Sequence, residues 1–208
     1  NRSSKTDTVM AHFAMLATGV FPMYDKKLAA EMRKQFRGPI NCRTVVESFT
    51  TTLYPTILPK LKYSTWAGAD EQGGERGHWG WIPKSSLIEG SWDRSWIDKI
   101  KTLKLICRDP DAGEVLGHSQ WQFLSKDQEP DDFASGTFHL IHHDEPPLFA
   151  QWRENQARTM DVNGRIFLAF TWPDDPYIPV DWIFDELYEP ATRQDKKANY
   201  EWHELWTT

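Results

Sequence analysis

Residues 101–124, KTLKLICRDPDAGEVLGHSQWQFL, constrain the fold most, because several local signals agree there. Thr102–Cys107 and Val115–Phe123 are both rich in residues that suit a pleated strand. The connecting residues 108–114 are typical of a turn, since Pro110 fixes its own φ and Gly113 can adopt a positive φ. The stretch therefore predicts a β-hairpin, and with it an antiparallel part of the sheet.

A second strand-forming stretch is Arg165–Trp172, RIFLAFTW, an apolar run bounded by glycine and proline. Continuous apolar runs of this kind are typical of strands that are covered on both faces, so we expect a central strand here. A further hairpin is predicted from Leu61–Ala67 and the residues around 78–82, which flank a polar, glycine-rich tip.

Helical spacing of apolar residues predicts several helices beside these strands. Asp7 and Asp25 are candidate N-caps of the first two helices, the second of which covers Lys26–Phe36. The other predicted helices cover residues 44–53, where strand propensity competes, and Gly90–Ile100, Pro147–Met160, Val180–Tyr188 and Arg193–Trp206. Together these elements predict an α+β (or α/β) single domain over residues 1–208, with a mixed, mostly antiparallel sheet and flanking helices.

Composition separates some classes of function. The 208 residues are 39% apolar and 26% charged, which is ordinary for a soluble domain, and the formal net charge is −6. This charge opposes binding to nucleic-acid phosphates or anionic lipid, and no apolar run approaches the roughly 18 residues that span a bilayer. We therefore expect neither nucleic acid nor a membrane as a partner. Cys42 and Cys107 stand far apart, so we expect two free thiols and a reducing, cytoplasmic compartment.

The histidine-rich stretch at residues 139–145, HLIHHDE, places three imidazoles beside two carboxyl groups, which are side chains that bind metals. On a strand, however, His139 and His143 would share one face while His142 opposes them. The spacing also differs from the helical HExxH motif. We therefore expect a polar loop end in contact with solvent, and no metal site.

Asp174 and Asp175 directly follow the apolar run, and ligand sites in α/β sheets lie beyond the carboxyl ends of strands. A carboxylate in that place can act as a general base, or can simply form a turn. The sequence contains no GxSxG elbow, no GxGxxG and no Walker loop, which argues against serine-hydrolase, dinucleotide-binding and P-loop chemistry.

Two motifs over about residues 101–188 resemble the fungal-type branch of the GNAT acetyltransferases. The hairpin pattern D-x-x-T-G-E-x-x-G-x-x-x-W is matched at Asp111, Gly113, Glu114, Gly117 and Trp121. The strand pattern L-x-x-T-x-P-x-Y is loosely matched at Phe167, Phe170, Pro173, Pro176 and Tyr177. The resemblance implies a GNAT-like fold and transfer of an acetyl group from acetyl-CoA to a small-molecule or other amine substrate.

The same resemblance implies roles for individual residues. The backbone near Phe170, Thr171 and Trp172 would orient acetyl-CoA. Asp174 or Asp175 would assist deprotonation of the amine, and Tyr177 or Tyr200 would act as the acid. Where the family has a glycine-rich pyrophosphate loop, this chain has the glycine-free residues 178–182, IPVDW, so we expect acetyl-CoA to bind weakly.

The 11 tryptophans support a hypothesis of a different class, a noncatalytic binding or interaction protein. In this alternative, a hydrophobic pocket or partner surface is lined by Trp66, Trp79, Trp81 and Trp121. Large rings equally suit a thick aromatic core, so the tryptophan content by itself does not distinguish a binding pocket from a core. The sequence carries no indication of the oligomeric state.

Overall fold

The computed structural model describes residues 3–22, 25–62, 64–69, 75–78, 80–172 and 180–192, with the backbone alone for 3–4, 64–69 and 75–78. Its α-helices are α1 Ser3–Thr18, α2 Lys26–Arg33, α3 Leu58–Leu61, α4 Trp92–Ser95, α5 Phe149–Thr159, α6 Asp181–Ile183 and α7 Glu189–Thr192. The π-helical segments Phe49–Ile57 and Phe184–Tyr188 lead into α3 and α7. The strands are β1 Asn41–Val46, β2 Ser64–Ala69, β3 Glu75–His78, β4 Trp96–Ile97, β5 Thr102–Arg108, β6 Val115–Ser125, β7 Leu140–Asp144 and β8 Arg165–Ala169.

Six of the described strands form one mixed sheet in the order β4-β5-β6-β1-β7-β8. Pairing is antiparallel among β4, β5 and β6, whereas β6, β1, β7 and β8 run parallel. Helices α1 and α5 contact this sheet, so the α+β class with a mixed sheet and flanking helices is confirmed. More of the strand pairs are parallel than the predicted, mostly antiparallel sheet has, because β1 lies between β6 and β7 and is parallel to both.

The predicted central hairpin is confirmed by the pairing of β5 with β6. Its turn uses the expected chemistry, since Gly113 has a φ of 73° and the Asp109 carboxylate accepts hydrogen bonds from the amides of Ala112 and Asp111. Those two bonds hold the pKa of Asp109 below its ordinary value. The second predicted hairpin is present as the antiparallel pair of β2 and β3, but its second strand lies at Glu75–His78, where the tip was predicted, and residues 80–82 are not in a strand.

The predicted helix over residues 44–53 is wrong at its start, because Thr44–Val46 belong to β1. Pairing with β6 on one side and β7 on the other decides between the two competing local propensities. The three β-branched residues at 44–46 also suit a buried interior strand. Helical structure begins only at Phe49, after the Ser48 hydroxyl caps the π-helix.

The predicted helix over Arg193–Trp206 lies outside the described residues, and the remaining helix predictions differ from the structure mainly at their ends. Asp7 lies inside α1 and does not cap it. Asp25 caps α2 by accepting a hydrogen bond from the Leu28 amide at 2.8 Å, but the helix ends at Arg33 rather than Phe36. Of the helix predicted over Gly90–Ile100, α4 covers one turn, and the chain then continues as β4 beside β5. The predicted helix at 147–160 is confirmed by α5.

The main core lies between α1 and the sheet. Phe13 of α1 is fully buried and its ring centroid lies 5.6 Å from that of Trp121, which stacks on Phe123. α1 ends at Thr18, and at the next residue, Gly19, φ is 72° and an added Cβ would lie 1.8 Å from the carbonyl oxygen of Arg108. Glycine is therefore required at the point where α1 meets β5.

β8 lies at the edge of the described sheet, which corrects the prediction of a central strand at residues 165–172. Helices cover its two faces in place of a further strand. The ring of Phe167 lies 5.5 Å from that of Phe13 on α1, whereas Ile166 and Leu168 pack against a cluster from α5 and α6. Cover from both layers of helices explains why the run is apolar throughout.

His142 and His143 are fully buried in β7, which corrects the expectation of a solvated loop end. The strand lies between β1 and β8, and burial lowers the pKa of each imidazole to about 3, so both rings are neutral at pH 7. His143 Nε2 lies 3.0 Å from the side-chain amide nitrogen of Asn155. The pair of imidazoles is thus part of the core.

Arg43 of β1 is a fully buried cation beside this strand. Its guanidinium donates to Asn155 Oδ1 at 2.7 Å and to the carbonyls of Phe133 and Ser135 at 2.9 and 2.8 Å. It also lies 4.0 Å from the ring centroid of Phe138. Burial lowers the pKa of Arg43 to about 10, which still leaves it charged at pH 7. The charge is solvated by protein oxygens and an aromatic face in place of water.

Cys42 and Cys107 are both buried and free, as predicted. Within the described residues, no three His, Cys, Asp or Glu side chains are grouped so that they could hold a metal ion. The helices of that part of the chain include none with the length and apolar character that crossing a bilayer requires.

Candidate functional site

The carboxyl ends of β1, β6, β7 and β8 meet at one edge of the sheet, because these strands run parallel. We call this the carboxyl edge; around it lie Glu47, Asp144, Glu145, Phe170 and Thr171, together with the start of α1. Ligands bind at such edges in open α/β sheets, where the order of the strands reverses. That reversal occurs here at β1, whose two neighbours both follow it in the sequence.

Lys5 of α1 binds the segment that follows β8. Its ammonium group donates to the carbonyl oxygen of Phe170 at 2.6 Å and to the hydroxyl of Thr171 at 2.7 Å. Two oxygen acceptors in this arrangement form a site for a protonated amine. The Lys5 side chain occupies that site and ties α1 to β8.

Asp144 is a partly buried carboxylate at the last residue of β7. It accepts a hydrogen bond from the Thr6 hydroxyl at 2.7 Å. Burial raises the pKa of Asp144, although the Thr6 hydrogen bond and the charges of Lys60 and Lys5 act in the opposite direction. The carboxylate is therefore a stronger base than an exposed aspartate.

Glu145 follows in a strained backbone conformation, with a φ of 84°. Its amide donates to the carbonyl of Ala169 at 3.0 Å, and its carboxylate accepts a hydrogen bond from the amide of Thr171. Desolvation is the main cause that raises the pKa of Glu145, and the neighbouring charge of Asp144 raises it further. Left-handed backbone at a non-glycine residue is found disproportionately at functional sites.

The other two lysines at the carboxyl edge are engaged by acidic partners. Lys60 lies 3.0 Å from Asp7, and Lys126 forms an ion pair with Glu47. Asp144 and Glu145 have no such ion-pair partner among the described residues. The site therefore favours a cationic ligand over an anionic one.

The residues predicted to orient acetyl-CoA lie at this edge. Phe170 and Thr171 are held by Lys5, and Trp172 contacts the ring of Phe170 with centroids 5.1 Å apart. The predicted acid and base residues, Asp174, Asp175, Tyr177 and Tyr200, lie outside the described residues.

Of the four tryptophans of the predicted pocket, Trp81 and Trp121 have side chains that the structure describes. Trp121 is fully buried and donates from Nε1 to the Thr44 hydroxyl at 2.9 Å, which places it in the core and not on a pocket wall. Trp81 is partly buried against the same core. Trp66 lies in β2, where the backbone alone is described, and Trp79 lies outside the described residues.

Lys5, Thr6 and Glu47 were not predicted as site residues, and Asp144 and Glu145 were considered only as metal ligands. Asp144 and Glu145 lie at the carboxyl end of a strand, as Asp174 and Asp175 do in the sequence, and are candidate site residues for the same reason. Lys5 carries no such signal, because 165 residues separate it from Phe170.

No family model matches this chain, and no curated protein does either. Two solved structures are distantly similar, both of the large terminase ATPase domain of Thermus phage P74-26, the first of them a point mutant. The first has a TM-score of 0.38 and 12% identity over 79% of this chain, the second a TM-score of 0.38 and 11% identity over 73%. This chain covers 62% and 57% of those domains. A likeness this distant carries no argument about function.

Proposed function

We propose that this protein is a GNAT-like acyltransferase, which transfers an acetyl group from acetyl-CoA to an amine at the carboxyl edge. One observation carries the proposal: Asp144 and Glu145 lie at the same edge as the ammonium-binding oxygens of Phe170 and Thr171. Carboxylates with raised pKa values are suited to take a proton from an amine.

Phe170, Thr171 and Trp172 are the residues that would hold acetyl-CoA. The Phe170 carbonyl and the Thr171 hydroxyl accept hydrogen bonds, as the amide groups of the pantetheine arm require, and Trp172 is 46% exposed beside them. Acetyl-CoA, when bound, supplies an acetyl group that is activated as a thioester. Because Lys5 binds the same two oxygens, it competes with such a ligand.

We assign Glu145 as the base. Its carboxylate takes a proton from the ammonium group of the acceptor and leaves a neutral nitrogen, which is the nucleophile that acyl transfer needs. The charge of Asp144 raises the pKa of Glu145 and thereby strengthens it as a base. Assistance by Asp174 or Asp175, and proton donation to the leaving sulfur by Tyr177 or Tyr200, are further parts of the proposal that rest on the family resemblance.

The test is to incubate the protein with acetyl-CoA and a panel of primary amines, and to follow release of the free thiol together with the mass of the acetylated amine. We expect saturable product formation, and a fall in kcat of about 10²- to 10⁴-fold in Glu145→Gln. Glu31→Gln, at an exposed position on α2, is the matched control and should leave the rate unchanged. Absence of product with every amine, together with absence of acetyl-CoA binding, would refute the proposal.

One observation favours the noncatalytic alternative. Phe149 and Phe184 are 40% and 44% exposed, and the ring of Phe149 lies 5.5 Å from that of Trp182. An exposed aromatic group of this kind suits a partner surface. Titration with acetyl-CoA, followed by tryptophan fluorescence, separates the two proposals: saturable quenching supports the acyltransferase, whereas an unchanged spectrum and no product support the binding protein.

A further inference from the structure

A cavity lies at the opposite edge of the sheet, where β1, β7 and β8 begin. Its volume is about 250 Å³, and its walls include Phe36, Arg37, Pro39, His139 and Val162. Pockets for drug-sized ligands have volumes of about 300–1,000 Å³, so this one suits a smaller molecule. It is separate from the carboxyl edge, because the parallel strands run between the two edges.

His139 supplies a defined hydrogen-bond donor to this cavity. Its Nδ1 accepts a hydrogen bond from the Asn41 amide at 3.0 Å, so the neutral ring carries its proton on Nε2. The ring of Phe36 meets it edge-on, with centroids 5.3 Å apart, and burial lowers the pKa of His139. The imidazole is therefore neutral at pH 7, with Nε2–H as the group left to donate.

Arg37 supplies a positive charge that the rest of the described chain does not neutralise. Its side chain is exposed and makes no hydrogen bond or ion pair with any residue that the structure describes. The neighbouring cations differ, since Arg33 donates to the carbonyls of Leu16 and Gly38, and Lys34 pairs with Glu31. The guanidinium of Arg37 thus keeps its donors for a ligand.

We propose that this cavity binds a small carboxylate with an apolar body, of the size of an aromatic or branched-chain monocarboxylic acid. The planar guanidinium of Arg37 matches a carboxylate with two parallel hydrogen bonds, and Nε2–H of His139 adds a third donor. Phe36, Pro39 and Val162 contact the apolar body. α2 ends at Arg33, four residues before Arg37, and the partial negative charge of a helix C-terminus disfavours an anion, but it amounts to only about half a charge, against the full charge of Arg37.

Benzoate is the probe, with benzamide as its uncharged counterpart of the same shape. We expect benzoate to bind with a Kd of about 1 mM or lower in calorimetry, and benzamide to bind at least about tenfold more weakly. In two-dimensional NMR spectra, benzoate should shift the signals of Val162 and His139 and leave those of Asp144 and Thr171 in place.

Arg37→Gln should weaken benzoate binding at least about tenfold, whereas Lys34→Gln, which removes an exposed cation three residues away, should not. Both positions are exposed, so both variants should fold. Equal binding of benzoate and benzamide, equal effects of the two substitutions, or signal shifts confined to the carboxyl edge would each overturn the proposal. Since none of these measurements needs acetyl-CoA, the result is independent of the acyltransferase proposal.

Discussion

Asp144 and Glu145 keep carboxyl groups in surroundings that disfavour their ionised forms, since desolvation raises both pKa values. The folded state therefore binds protons more tightly at these groups than the unfolded chain does. Above the folded pKa both groups are ionised in either state, and the folded protein is less stable than it would be with a neutral group there. Residues that reduce stability in this way are typical of functional sites.

Asp144→Asn should therefore increase the free energy of unfolding at pH 7 while reducing acyl transfer. Glu145→Gln should act in the same direction but by less, because Glu145 is exposed and solvent screens its charge. The amide oxygens can still accept the hydrogen bonds from Thr6 and Thr171, so the geometry is kept. Urea unfolding at pH 7 and at pH 3.5 measures the effect, and the gain should shrink at the lower pH, where the wild-type carboxyl groups take up protons. Asp161→Asn, at an exposed position, is the control; a loss of stability at pH 7 in the two site variants would contradict this account.

The buried hydrogen bonds of Arg43 predict a large loss of stability when this residue is replaced. Arg43→Met fills most of the volume, but it leaves the carbonyls of Phe133 and Ser135 and the side chain of Asn155 without their donor. Each buried polar group left unpaired costs about 1–3 kcal/mol, so we expect a loss of at least about 3 kcal/mol in chemical denaturation. Arg153→Met, at an exposed position on α5, should change stability by less than about 0.5 kcal/mol. Similar small effects in both variants would show that the buried network contributes little.

At the scale of elements, the junction of α1 with β8 depends on Lys5. Lys5→Met removes both hydrogen bonds to the segment after β8, and we expect a loss of about 1–2 kcal/mol. Hydrogen exchange should become faster at the amides of β8, which lies at one edge of the described sheet, and remain unchanged in β5 and β6. Lys5→Arg keeps the charge and should exchange at nearly the wild-type rate. Faster exchange spread evenly over the sheet would mean that Lys5 supports the whole core instead.

Elements with local signals were predictable, and elements decided by distant partners were not. The β5–β6 hairpin, with Gly113 and Asp109 in its turn, depends on residues within a few positions of each other. β1 and β8 take their places from pairing and from helix cover, which a single stretch of sequence does not encode. The same applies to the carboxyl edge: the acidic residues at the end of β7 are visible in the sequence, but their approach to Lys5 depends on which strands run parallel.

At the scale of the whole molecule, the two buried imidazoles make the fold sensitive to acid. The unfolded chain takes up a proton on each ring near pH 6.5, whereas folded His142 and His143 do so only near pH 3. Stability should therefore fall as the pH drops below about 6.5, by up to about 2.7 kcal/mol per pH unit when both rings contribute fully. Asp144 and Glu145, with raised pKa values, make the opposite contribution as the pH approaches those values.

Urea unfolding between pH 7.5 and pH 5 tests this expectation. The slope of stability against pH reports how many more protons the unfolded state binds than the folded state. His142→Gln and His143→Gln should each reduce that number by about one, whatever they do to stability at pH 7.5. His118→Gln removes an exposed imidazole and should leave the slope unchanged. A wild-type stability that is flat over this range would show that the folded and unfolded states take up protons equally, which would contradict the lowered pKa values of the two buried rings.

The central place of β1 in the sheet also has a consequence for biosynthesis. Val46 pairs in register with Ser125, so a ribosome must add 79 residues after β1 before its first neighbour is complete, and β7 follows later still. At about 5–20 residues per second, that interval is roughly 4–16 s. During this time β1, which contains three successive β-branched residues, has no hydrogen-bonded neighbour on either side. Unpaired strand edges of this kind can pair with another chain. Nascent chains stalled between residues 46 and 125 are therefore the ones that should depend most on chaperones.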